Sequence, residues 1–296
     1  MAMPPDPNVI VAGVDGSDAS LNAARWAAAI AHRTSATLML AHALPQSGAL
    51  YSPAAVLIQS QFLSQLREDG EAIVDRATKL IQSEYPDLTI DYSIGPESAG
   101  AHLVDEGDDA RMVVLGATGA GAIRSLFVGS TALHVANRAT CPVTVWRGSA
   151  ESAIPDDRPV VVGVDGSSLS DNAVTFAYEF AGLVGAPLVA VHSWRGSSAL
   201  GAGGTGGLVD WKAVEVEESA LLSEGIAGMS ERYPDVSVTH VTEQGSAAQV
   251  LVEHARDAQL IVVGSHGRGP IVGALMGSTS QNLLHHAQCP VTICHR

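Results

Sequence analysis

The chain has 296 residues, 46% of them hydrophobic and 16% charged, which suffices for two domains of ordinary size with sizeable cores. A formal net charge of -15 argues against a nucleic-acid-binding surface, which needs a basic stripe, but leaves room for a small anion held by backbone N–H groups. With no basic-then-apolar leader, no apolar run near about 18 residues, and three sparse cysteines (Cys141, Cys289, Cys294), the sequence predicts a reduced cytoplasmic protein without signal peptide or membrane span.

The elements alternate along the chain. "NVIVAGV" (8–14) reads as a buried strand, and the alanine-rich "ASLNAARWAAAIAHR" (19–33) as a helix with Asp18 near its start. "TLMLAHAL" (37–44) is a second strand, 60–84 a long amphipathic helix and "LTIDYSI" (88–94) a third strand. "SAGAHLVDEG" (98–107) is a short helix and "RMVVLGA" (111–117) a fourth strand. A glycine-rich stretch, "LGATGAGAIRSLFVGST" (115–131), leads into a helix from about residue 130 and a last strand, "PVTVW" (142–146).

The same order then repeats, from "PVVVGVD" (159–165) to "PVTIC" (290–294). "AGVDGSDASLNAA" at Ala12 returns as "VGVDGSSLSDNAV" at Val162, and His42 as His192. "YPD" at Tyr85, "GST" at Gly129 and "CPVT" at Cys141 return at Tyr233, Gly277 and Cys289. The period is too long for a solenoid, so each copy is expected to be a domain, 1–147 and 159–296, joined by a polar linker over 148–158. Continuous apolar strands alternating with helices predict, in each copy, a doubly wound sheet of five parallel strands covered on both faces. In such sheets ligands sit beyond the carboxyl ends of strands, where the winding direction reverses. Asp15 ends the first strand and Gly116 the fourth, so both face one crevice if those strands are neighbours.

The glycine stretches carry identical spacing. Gly116, Gly119 and Gly129-Ser130 match Gly264, Gly267 and Gly277-Ser278 within "VGSHGRGPIVGALMGST" (263–279). Each begins at a strand end and finishes at a helix start, where converging N–H groups and the helix dipole suit a phosphate. Ser130, Thr131, Ser278 and Thr279 add hydroxyls. The competing reading is a structural turn in which Ser130 caps the helix.

The strand-end "GVDGS", this glycine spacing and the closing "CPV" strand resemble the universal stress protein family, twice and over nearly the whole chain. The likeness is to its tandem, actinobacterial type and to its ATP-binding subclass. It implies two Rossmann-like (adenine nucleotide alpha hydrolase-like) α/β domains, each with strand order 3-2-1-4-5. It also implies ATP in each domain, with a magnesium ion on the nucleotide near Asp15 or Asp165. By the same resemblance Gly116, Ala117, Thr118, Gly119, Ala120 and Gly121, with Gly129, Ser130 and Thr131, take the phosphates and ribose. Gly13 and Val14 line the adenine pocket, Asp15 lies near the adenosine, and Ala41 offers backbone groups to the base. The second site uses Gly163, Val164, Asp165, Val191, Gly264, Ser265, His266, Gly267, Arg268, Gly269, Gly277, Ser278 and Thr279. Ala120 stands where the second copy has Arg268, a charge-assisted phosphate contact, so the first site is expected to be the weaker.

The resemblance implies a nucleotide-dependent regulator of stress adaptation or growth, acting through an unidentified protein partner, with the domains paired through their last strands and a homodimer left open. Two alternatives stand beside it: a slow metal-dependent ATP hydrolase, and a partner-binding scaffold with structural ATP. Asp15 and Asp165 are open to three roles: general base, turn-fixing group, or ribose or metal contact. His42 and His192 read as satisfied strand-end residues. "GAGGTG" (201–206) matches a dinucleotide fingerprint but floats in a Gly/Ser segment, and reads as a loop over the crevice. The His285, His286, Cys289, Cys294, His295 group has no familiar zinc spacing, and the four tryptophans are assigned to core or interface packing.

Overall fold

The computed structural model describes residues 8–45, 53–119, 128–195, 210–267 and 276–295. It divides into two compact units, Met1–Ile154 and Pro155–Arg296.

The first unit holds strands β1 (Val9–Gly13), β2 (Thr37–Ala43), β3 (Ile90–Gly95), β4 (Met112–Gly116) and β5 (Val143–Trp146). They lie in the order β3-β2-β1-β4-β5, with parallel pairing at every step. The expected neighbours, β1 and β4, pair through Val11 and Val113. The winding direction reverses between them, which places the crevice at their carboxyl ends. Apolar runs account for the strands: Ile10, Val11, Leu38, Leu40, Val113, Val114 and Val143 are fully buried. Between strands run α1 (Asp18–Thr34), α2 (Pro53–Glu84), α3 (Ala99–Gly107) and α4 (Ser130–Arg138).

Helix α1 is alanine-rich because it packs closely on the sheet; Ala23, Ala24, Ala27, Ala28 and Ala31 are fully buried. Its N-cap is Ser17, whose side chain accepts from the Ser20 N–H, while Asp18 occupies the first turn. The helix closes on Ser35 in the left-handed region, φ 52°.

The second unit repeats the plan with β6 (Val160–Gly163), β7 (Leu188–Trp194), β8 (Val238–Gln244), β9 (Leu260–Gly264) and β10 (Val291–Cys294). Their order is β8-β7-β6-β9-β10, again parallel. Its helices are α5 (Ser168–Val184), α6 (Trp211–Gly225), α7 (Met229–Arg232), α8 (Ala247–His254) and α9 (Ser278–His286). The copies differ most at the long helix. Helix α2 is continuous, but its counterpart breaks into α6 and α7 around Gly225 and Gly228, the latter at φ 78°. The first copy has Ala77 and Leu80 there, both good helix formers, whereas interior glycine costs about 1 kcal/mol.

The predicted linker is ordered at both ends. Ala150–Ser152 forms a 3-10 turn with a Ser149–Ser152 capping box. Arg25 donates from Nη1 to Ala150 O (3.2 Å) while its Nε pairs with Glu84 (2.7 Å). On the other side the Gln259 amide accepts from Asp156 N–H and donates to the carbonyls of Asp156 and Arg158. Among the described residues no helix is long and apolar enough to cross a membrane.

Candidate functional site

Each unit has a cavity at the carboxyl ends of its central strands. The first, of about 240 Å³, is lined by Gly13, Val14, Asp15, Ala41, Gly116, Ala117, Thr118, Gly119, Gly129, Ser130 and Thr131. The second, of about 320 Å³, is lined by Gly163, Val164, Asp165, Val191, Gly264, His266, Gly267, Gly277, Ser278 and Thr279. Ser265 stands behind this wall: it is buried, its N–H bonds Cys294 O, and its carbonyl accepts from Gly277 N–H. Ala120, Gly121, Arg268, Gly269 and the "GAGGTG" segment lie outside the described residues.

The turn after β1 is built around one carboxylate. Asp15 Oδ1 accepts from Ser17 N–H (3.0 Å) and Ser17 Oγ (2.6 Å). The Asp15 N–H in turn donates to Ser20 Oγ (3.2 Å). Asp165 repeats this with Ser167 and Ser170 at 3.0, 2.6 and 3.1 Å. One oxygen of each aspartate is therefore committed to the turn.

The glycines answer to different neighbours. A Cβ at Gly116 would stand 3.0 Å from the Ala19 carbonyl carbon, so the end of β4 abuts the backbone of α1. A Cβ at Gly119 would meet Asp15 Oδ2 at 2.7 Å. At Gly129, by contrast, a Cβ would be 3.5 Å from Ala117 O, an ordinary contact. Packing does not require glycine there.

Gly129 is the N-cap of α4, and no side chain caps it. Ser130 is the first helical residue and not the cap that the structural-turn reading required. Gly277 holds the same position before α9, again without a side-chain cap. Helices α1, α3 and α5 are capped by Ser17, Ser98 and Ser167, whereas α8 starts after Ser246 without a side-chain cap. Among the described residues no backbone carbonyl takes the N–H of Ser130, Thr131 or Ala132, nor of Ser278, Thr279 or Ser280. The uncapped ends of α4 and α9 thus open into the two cavities, each offering donors without a partner among the described residues and a positive dipole end.

At the far end, Ala41 O already accepts from Val14 N–H (2.9 Å), as Val191 O does from Val164 N–H (2.9 Å). His42 and His192 each donate from Nδ1 to the carbonyl of Val14 or Val164, at 2.7 Å. The donor assignment follows because a carbonyl only accepts. His192 Nε2 also meets Glu218 of α6 at 2.8 Å. Gly70 of α2 fills the matching place beside His42.

Several lining residues escaped the sequence reading. Ser20 and Ser170 sit in the first helical turns, and their recurrence in both copies is a signal that could have found them. Leu103 and Leu251 contribute from α3 and α8. His102 lines the first cavity only, held by Ser93 Oγ (3.2 Å) and near Glu97 (3.7 Å), while Ser93 donates to Glu106 (2.6 Å). Its counterpart is Val250, so no repetition marks it. Ser193 lines the second cavity only, and Ala43 replaces it in the first. Just beyond, Trp194 stacks on Trp211 with ring centroids 6.0 Å apart.

Cys141, Cys289 and Cys294 are buried, and burial raises the thiols of Cys141 and Cys294 to about 11 and about 12. Among the described residues no cluster of three or more His, Cys, Asp or Glu is placed to hold a metal.

The profile of the universal stress protein family matches residues 8–147 and again 158–295. The chain belongs to that family, as a tandem of two such domains. A universal stress protein of Mycobacterium tuberculosis is 35% identical over 302 residues, covering 100% of this chain and 100% of that one. Another, from Mycolicibacterium smegmatis, is 36% identical over 287 residues, covering 96% of each. A crystal structure of a universal stress protein from Archaeoglobus fulgidus superposes with a TM-score of 0.66 at 17% identity, covering 99% of this chain and 98% of that one. At that identity the likeness concerns the fold alone.

Proposed function

We propose that each domain of this universal stress protein binds one ATP and that the chain is a nucleotide-dependent regulator of stress adaptation or growth. The observation that carries the reading is the uncapped helix end in each cavity, preceded by Gly129 or Gly277, which packing leaves open to a ligand. Three N–H groups in a row without a backbone partner among the described residues suit a phosphate. Strand order supports the orientation: phosphates over the β4 or β9 end, the base toward β2 or β7, two strands away. A carboxylate in the same cavity calls for a cation between it and the phosphates, and magnesium carried on the nucleotide supplies one through Asp15 or Asp165.

The regulatory role is supported by family membership and by the mycobacterial relatives, which are named universal stress proteins. A cytoplasmic location and an unidentified protein partner go with that role. The test is to incubate the purified protein with ATP and magnesium, remove free nucleotide, denature it and quantify what is released. One ATP per domain, retained without conversion to ADP, is the expected result. No released nucleotide overturns the reading. Magnesium-dependent turnover that disappears in Asp15→Ala with Asp165→Ala would replace the regulator with a hydrolase.

A further inference from the structure

We infer that Ser193 reads the edge of the bound base in the second domain, and that the first domain has no equivalent, so that the two sites differ in base selectivity. The inference rests on the nucleotide reading and adds a residue to it.

The uncapped end of α9 follows β9, whose neighbours run β9-β6-β7. Adjacent strands are about 4.8 Å apart, so β7 lies about 10 Å across the sheet from β9. A nucleoside extended from a phosphate at α9 therefore lays its base against β7. Along a strand, side chains alternate between faces. His192 points to α6, where Glu218 receives it, so Val191 and Ser193 point to the opposite face. That face carries the cavity, and both residues line it beside Ala247 and Leu251 of α8. Ser193 is part-exposed, and its hydroxyl has no hydrogen-bond partner among the described residues. A hydroxyl both donates and accepts, so it can meet the polar edge of a purine.

The first cavity has no hydroxyl at this position. Ala43 takes the place of Ser193. His42 also lines this cavity, but its Nδ1 is spent on Val14 O (2.7 Å), and a Cβ at Gly70 would be 2.9 Å from its ring. The His102 nitrogens face Ser93 and Glu97. The end that meets the base therefore carries imidazoles but no hydroxyl at the Ala43 position in the first domain, and carries the Ser193 hydroxyl, unpartnered among the described residues, in the second.

The test compares ATP with purine riboside triphosphate, which lacks the 6-amino group, by calorimetry. The Gly119→Glu variant silences the first site, so that the second is read alone. ATP is expected to bind about three- to tenfold more tightly than the analogue, the range of one net hydrogen bond. Ser193→Ala should bring ATP down to the level of the analogue and leave the analogue unchanged. In the first domain, read in Gly267→Glu, the two nucleotides should bind alike, and Ala43→Ser should introduce the preference. An ATP-to-analogue ratio that Ser193→Ala does not change overturns the inference while leaving nucleotide binding intact. Absence of binding by both nucleotides to the unsubstituted protein overturns the nucleotide reading itself, and this assignment with it.

Discussion

Asp15 lies directly beneath Gly119: a Cβ at residue 119 would stand 2.7 Å from Oδ2, and the pair Asp165 and Gly267 repeats the contact at 2.6 Å. Asp15 cannot swing aside without releasing Ser17, which holds its other oxygen. Gly119→Glu and Gly267→Glu should therefore each disturb the turn and the loop together, and add a negative charge where phosphate is expected. Each should abolish one ATP site and leave the other, as read by calorimetric stoichiometry. The surviving site should be the weaker in Gly267→Glu, because the second copy carries Arg268 where the first has Ala120.

Ser17 serves two structures at once, capping α1 and holding Asp15. Ser17→Ala should destabilise the first domain by about 2 kcal/mol, combining a lost cap with a lost bond to a carboxylate. Ser17→Thr keeps the hydroxyl and should recover most of it. Urea unfolding followed by circular dichroism measures both.

The two C-caps of the equivalent helices α1 and α5 solve one problem differently. Ser35 adopts φ 52° with a side chain, whereas Gly185 adopts φ 72° without one. Ser35→Gly should stabilise the first domain by up to about 1 kcal/mol, and Gly185→Ala should destabilise the second by about 1 kcal/mol. Nothing lies within 4 Å of a Cβ built at Gly185, so crowding does not confuse the second measurement.

Cys141 predicts an alkaline weakness. Its thiol is raised from 9.0 to about 11, first of all by burial. The unfolded chain therefore loses this proton at lower pH than the folded chain does. The stabilisation is complete below pH 9 and is lost as pH rises toward about 11. Unfolding free energy should fall across that window, and less so in Cys141→Ala. The folded protein should resist a thiol reagent at pH 8 and react once unfolded.

The parts of the molecule legible in sequence are those that repeat or run continuously. Apolar strands and the doubled order of elements lead to the sheets, and the glycine spacing leads to the cavities. The break between α6 and α7 was hidden because it depends on Gly225 and Gly228 interrupting an otherwise amphipathic run. The partnership of His192 with Glu218 was hidden because it joins a strand to a helix and has no counterpart: Gly70 stands at the matching position of α2. Ser193 and His102 were missed for the same reason, since repetition draws attention to what the copies share and away from where they differ. Asp18 does open α1, and Ser17 just before it reaches the Ser20 N–H as the cap.

The stacked pair Trp194 and Trp211 has an optical consequence. Trp26, Trp146 and Trp194 are buried, whereas Trp211 is 44% exposed. A collisional quencher added to the solvent therefore reaches one indole, and that indole rests on the residue next to Ser193. Leu44 and Leu63 occupy the matching places in the first domain. The quenchable part of the fluorescence is a native gauge of the second domain, readable without a label while the first domain is silent.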